Sequence, residues 1–115
     1  MHTKMKVKQK TTTTPFGREA KEAGFPIRVP EMLKSLDGVV YLARETVISP
    51  KNIIRLKKYI KKAFDIQIKG KGFSLVEVLS PCPVNLRLEP IQAFKWVKEN
   101  MVPYYPLGEI KDYIV

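Results

Sequence analysis

Two short apolar segments flanking an amphipathic helix restrict this chain more than any other feature. Val39-Val40-Tyr41-Leu42-Ala43 is apolar and partly β-branched, which reads as a buried strand. Phe73-Ser74-Leu75-Val76-Glu77-Val78-Leu79 reads as a second strand, apolar on both faces except at Ser74 and Glu77. Between them, Ser49-Pro50 opens the longest helix, with Ser49 as N-cap and Pro50 at the first helical position, where no amide donor is needed. Ile53, Leu56, Ile60, Ala63 and Phe64 recur at helical spacing as one apolar stripe, with Arg55, Lys58 and Lys62 opposite. The helix is expected to fray before Gly70 and Gly72. Strands joined through a helix pair in parallel by a right-handed crossover. The fold class is therefore α/β, a short parallel sheet with flanking helices. Two strands make a thin sheet, and a parallel sheet needs covered faces and more strands. The chain thus reads as one part of a larger α/β layer.

The flanks are less regular. Pro30 suits the start of a short helix over 30–36, with Met32, Leu33 and Leu36 on one face and Gly38 as its stop. Ser80-Pro81-Cys82-Pro83 ends the second strand, because two prolines cannot continue a ladder. Pro90 opens a last helix with Ile91, Phe94, Val97 and Met101 inward, followed by an aromatic, proline-rich segment, Met101 to Gly108. Three regions follow: a basic tail (1–10), a Thr-rich loop segment (11–28) and an α/β C-terminal module (29–115).

The 115 residues suffice for one small domain. The net charge of +10 is localised: residues 1–10 contribute +4 through Lys4, Lys6, Lys8 and Lys10, and residues 51–71 contribute +7. Such runs can meet a phosphate backbone or an acidic protein, or serve as a tail and the solvated face of a helix. No run of 18 apolar residues occurs, so a transmembrane helix is not expected, and the N-terminus lacks the apolar core of a secretory signal. A soluble cytoplasmic protein is the expectation.

The chemistry-bearing residues are few. There is no Walker-type loop, no G-x-G-x-x-G and no pair of metal-spaced histidines. His2 is the only histidine, which argues against Ser-His-Asp or Cys-His catalysis. The lone Cys82 lies just past the carboxyl end of a strand, the edge where open α/β sheets bind ligands. A thiolate there can ligate a metal cluster or act in redox chemistry; the alternative is a small buried apolar residue. Glu77 is expected to pair with Arg44 on the adjacent strand, since a buried carboxylate needs a cation or donors.

Three segments carry a family resemblance: Lys10 to Arg18 (KTTTTPFGR), Gly72 to Asn85 (GFSLVEVLSPCPVN) and Met101 to Gly108 (MVPYYPLG). Together, over about Lys10 to Asp112, they resemble the C-terminal part of the beta subunit of 2-oxoacid:ferredoxin oxidoreductases, in the 2-oxoglutarate and branched-chain ketoacid branch. The resemblance implies part of a thiamine-diphosphate-binding fold. It also implies a complex that oxidatively decarboxylates a 2-oxoacid to an acyl-CoA and passes electrons through an iron–sulfur cluster to ferredoxin. By carry-over, Cys82 is the last ligand of a four-iron four-sulfur cluster, and Thr11 to Arg18 lie near the cofactor pocket. The implied partners are an alpha subunit, with gamma and delta subunits where present.

The departures from the family are equally informative. Its N-terminal C-P-x-C motif, its G-D-G motif, whose Asp holds the magnesium of thiamine diphosphate, and its T-G-G-Q segment are all absent. One cysteine cannot hold a cluster needing roughly four ligands. The expectation is a truncated or split beta subunit, inactive alone, with no catalytic or cofactor-binding residue assignable and no cofactor held by itself. Two other classes stay open. One is a self-associating structural fragment with exposed sheet edges. The other is a basic nucleic-acid-binding module, against which stands the lack of stacking aromatics on the basic helix face.

Overall fold

The computed structural model describes residues 26–81 and 89–112. Helix α1 (Val29–Leu33) leads into strand β1 (Val39–Thr46), helix α2 (Pro50–Ile68) and strand β2 (Phe73–Leu79). Helix α3 (Pro90–Trp96) continues into a π-helical turn (Val97–Met101), and strand β3 (Gly108–Asp112) follows. The strands form one sheet in the order β2-β1-β3. β1 and β2 are parallel, as the strand–helix–strand pattern requires, with Ala43 opposite Val76 and Arg44 opposite Glu77. β3 runs antiparallel to β1.

β3 corrects the expectation of a purely parallel sheet, which is mixed. Gly108-Glu109-Ile110-Lys111-Asp112 alternates poorly and is charged, as a blunted edge strand is. β1 also extends beyond Ala43 to include Arg44, Glu45 and Thr46, all fully buried. Polar side chains there are tolerated because each finds a partner.

Helix α2 begins where expected. Ser49 is extended and its hydroxyl accepts from the Asn52 amide at 3.3 Å, while Pro50 takes the first turn. It ends at Ile68, before Gly70, whose φ of +63° turns the chain out of the helix. Its apolar stripe is rotated relative to expectation. Asn52, Leu56 and Ile66 are buried, with Tyr59 and Ala63 beside them, whereas Ile53, Ile60 and Phe64 are exposed. The inward row thus includes an asparagine that hydropathy alone assigns to solvent.

The other helices show the same displacement. α1 stops at Leu33 rather than near Gly38, and Met32 and Leu36 are exposed; Pro30 is its buried residue. On α3 and its π turn, Ala93, Val97 and Met101 face inward, but Ile91 and Phe94 do not.

Strand side chains alternate between the two faces of the sheet. Tyr41 and Ala43 pack with Ile66, Tyr59, Ala63 and Val76 under α2. On another part of the fold, Leu79, Val97, Met101 and Tyr105 form a second cluster, with Trp96 and Leu107 against it. The tail and nearly all of the Thr-rich segment, and Cys82 with it, lie outside the described residues.

Gly72 is the tightest backbone position. Its φ is +143°, and an added Cβ meets Val40 Cγ1 at 2.8 Å and the Gly38 carbonyl oxygen at 3.0 Å. Gly72→Ala should therefore lower stability by about 1–3 kcal/mol in urea denaturation, from backbone strain and overpacking together. An unchanged midpoint would show that the α2–β2 turn relaxes freely.

Candidate functional site

The carboxyl ends of the two parallel strands form the edge where α/β sheets place ligands. Thr46 and Leu79 are in register there, and the Thr46 hydroxyl donates to the Leu79 carbonyl at 2.7 Å. Glu45, fully buried, accepts from Asn52 Nδ2 at 2.8 Å, from the Thr46 amide at 3.1 Å and from Arg55 Nε at 3.0 Å. These contacts tie the start of α2 to the end of β1. Ser80 and Pro81 leave β2 at this same edge. Cys82, the one metal-ligating residue expected from sequence, follows directly but lies outside the described residues. Among the described residues no group of three or more His, Cys, Asp or Glu could hold a metal ion.

Behind the edge lies the pairing expected between Arg44 and Glu77, and it is larger than a pair. Arg44 Nε donates to Glu77 Oε1 at 2.7 Å. Its two terminal nitrogens grip Glu31 of α1 at 2.8 and 2.6 Å, and one also donates to the Pro106 carbonyl at 3.1 Å. The guanidinium sits 5.3 Å from the centre of the Tyr105 ring. Burial alone would weaken the Arg44 charge; hydrogen bonds to Glu31 and Glu77 outweigh it and raise its pKa. The Arg44 hydrogen bonds likewise hold the Glu31 carboxyl below its ordinary value of 4.5, against the opposing effect of burial. All three nitrogens of this arginine are engaged inside the protein, so the network positions elements rather than binding a ligand.

The basic face of α2 is less open than its sequence suggests. Lys62 pairs with Asp112 and, at 3.0 Å, with Glu109, pinning α2 to β3, and its ammonium lies 5.0 Å from the Tyr41 ring centre. The Asp112 hydrogen bond is the main cause of a raised Lys62 pKa. Burial, reinforced by Glu109, pushes the Tyr41 hydroxyl well above its ordinary value, so this phenol stays protonated. Arg55 is engaged by Glu45 and Lys61 by Asp65. With Arg55 and Lys62 both committed to carboxylates of the sheet, the phosphate-binding stripe loses two of its three expected residues.

The residues missed from sequence are Glu31, Glu45 and Asn52. Only Asn52 carried a faint signal, standing three residues after the Ser49 cap and one turn before Leu56 on the helix.

The chain is similar over most of its length to subunits of 2-oxoacid oxidoreductase enzymes. It is 41% identical over 102 residues, 89% of its length, to ketoisovalerate oxidoreductase subunit VorA of Methanothermobacter thermautotrophicus. It is 35% identical over 91 residues to 2-oxoglutarate synthase subunit KorB of Archaeoglobus fulgidus, and 33% over 103 residues to that of Methanocaldococcus jannaschii. The chain spans 21% of VorA and 30% and 36% of the two KorB subunits. No protein-family profile matches it, and no solved structure matches it significantly. No described helix is long and apolar enough to cross a membrane.

Truncating Arg44 to Leu removes the buried cation that faces Glu77 and Glu31 and should lower stability by about 3–5 kcal/mol in urea denaturation, whereas Arg44→Leu with Glu77→Leu should recover part of that loss. A double variant no more stable than the single one would contradict the network. The Glu31 carboxyl has a folded pKa below its unfolded one. Its contribution is therefore complete above pH 4.5 and lost as pH falls through the lowered value. Glu31→Gln should flatten that acid limb of the stability curve.

Proposed function

We propose that this chain is the C-terminal module of the beta subunit of a 2-oxoacid:ferredoxin oxidoreductase of the ketoacid type, without activity of its own. The observation that carries the reading is the 41% identity to subunit VorA over 89% of the chain, against only 21% of VorA. Two of the three motif segments read from sequence fall partly or wholly on described residues. Gly72 to Pro81 forms β2 and its exit at the carboxyl edge, and Met101 to Gly108 packs against Leu79.

In this reading the whole enzyme uses thiamine diphosphate with magnesium and a four-iron four-sulfur cluster, and passes electrons to ferredoxin in the cytoplasm. This chain's own residues do not fit either group unaided, because one cysteine is not four and the magnesium-binding motif is absent. Its contribution is structural and local. The parallel strands bring Ser80 and Pro81 to the carboxyl edge, and Cys82, next in sequence, is the single cluster ligand this reading assigns to the chain. Glu45, Asn52 and Arg55 fix the same edge from the helix side. The remaining ligands and the thiamine site come from other parts of the enzyme, including the alpha subunit.

The purified chain, supplied with ketoisovalerate or 2-oxoglutarate, CoA, thiamine diphosphate and magnesium, should reduce no viologen dye above the protein-free rate. Turnover by the chain alone would overturn the reading of an incomplete subunit.

A further inference from the structure

The two arginines that meet buried carboxylates of this fold are used to different extents. Arg44 has all three nitrogens engaged inside the protein. At the next residue of β1 it is the carboxylate that is saturated and the cation that is not. Glu45 Oε1 accepts from Asn52 Nδ2 at 2.8 Å and from the Thr46 amide at 3.1 Å, and Oε2 accepts from Arg55 Nε at 3.0 Å. Asn52 is fixed in turn by Ser49, whose hydroxyl donates to Asn52 Oδ1. Glu45 is thus held from several sides, with only 1% of its side chain exposed, and it orients the Arg55 guanidinium through one nitrogen. The two terminal nitrogens of Arg55 have no partner among the described residues, and 47% of the side chain is exposed.

Two further cations share that flank of α2. Lys51 lies four residues before Arg55 and Lys58 three residues after it, so helical spacing sets both beside it. Both are exposed, and neither has an ion pair or hydrogen bond among the described residues. Lys62, one turn beyond Lys58, belongs to Glu109 and Asp112. The flank therefore does not continue as a stripe along which a polyanion could run. What remains is one cradle at the carboxyl edge of the parallel strands, where α/β sheets place ligands.

The charge of the cradle selects its occupant. Three cations, Lys51, Arg55 and Lys58, face one carboxylate, Glu45, which leaves two positive charges to be met. A phosphate dianion meets both. Two of its oxygens suit the planar fork of Arg55, and the others suit the flexible ammonium groups on either side. A carboxylate has a single charge and two oxygens, so it would fill the fork and leave both lysines idle. We propose that Arg55, aimed by Glu45 and flanked by Lys51 and Lys58, binds a phosphate group, either free phosphate or the phosphate of a small phosphorylated ligand. Glu45 is the positioning residue, since it meets the ligand only through Arg55. The site is independent of the reading of the chain as a module of a larger subunit.

The test is a titration of the isotopically labelled chain with inorganic phosphate at about pH 8, where phosphate is a dianion, with sodium chloride holding the ionic strength constant. The amide shifts of residues 51–58 should saturate with a Kd on the order of 1 mM. Lys51→Gln with Lys58→Gln touches neither Glu45 nor the core, so it should weaken binding about tenfold at an unchanged urea midpoint. Arg55→Lys keeps a cation beside Glu45 but removes the fork, and should also weaken binding about tenfold. Lys57→Gln with Lys61→Gln, elsewhere on the same helix, should leave the Kd unchanged. Shifts that never saturate, or an equal loss from the Lys57 and Lys61 pair, would reduce the effect to general charge attraction and overturn the site. Full binding by Arg55→Lys would overturn the role of the fork. Acetate binding as tightly as phosphate would overturn the phosphate assignment. Adenosine monophosphate binding more tightly than phosphate would support the site and name a phosphorylated small molecule as its ligand; binding no tighter would support it with phosphate itself.

Discussion

The fold depends on one buried guanidinium. Arg44 stands near the carboxyl end of the middle strand and touches a neighbouring strand, a helix and the closing segment at once, through Glu77, Glu31 and the Pro106 carbonyl. An isolated buried charge would be strongly unfavourable; here two carboxylates and a carbonyl offset the desolvation. The planar fork of arginine suits this role because it binds Glu31 with both terminal nitrogens while Nε serves Glu77. The consequence is geometric. Segments far apart in sequence, 29–33, 73–79 and 101–107, are held in one arrangement by a single side chain. The described part of the chain therefore has polar as well as apolar determinants of its packing.

How much of this was legible beforehand follows from the type of signal. The β1–α2–β2 unit was readable because Ser49-Pro50 and Gly70 punctuate the helix by local chemistry that tertiary context does not override. The Arg44–Glu77 pair was readable because a lone charge in an apolar strand demands a partner. The orientation of α2 was not, because hydropathy ranks Ile53, Ile60 and Phe64 above Asn52 and Tyr59. The helix instead turns its hydrogen-bonding residues to Glu45, and leaves the more apolar row outside. In a free-standing domain that ordering conflicts with burial; in a module with a further layer to receive it the conflict disappears. β3 was unreadable for a different reason: its burial comes from Lys111, whose ammonium reaches the Leu36 carbonyl at 2.8 Å, and no apolar alternation announces it.

The candidate edge was legible only in outline. Position past the end of a parallel strand pointed to Cys82, and Thr46 and Leu79 do lie side by side at that end. The supporting carboxylate, Glu45, and its helix partners could not be deduced from spacing. They meet through a strand-to-helix turn whose geometry the sequence encodes only in the Ser49 cap and Asn52.

The two margins of the sheet differ, since β3 is charged and pinned while β2 carries no lysine or proline and turns Glu77 inward onto Arg44. This contrast has a bearing on how this polypeptide behaves when it accumulates without its complement. A body with one adhesive rim and one sealed rim can couple once, and the coupled pair presents no fresh rim for the next arrival. Were two copies to pair edge to edge, strand addition would stop at a closed pair instead of propagating as a fibre, and the charged, pinned terminal strand would set that limit.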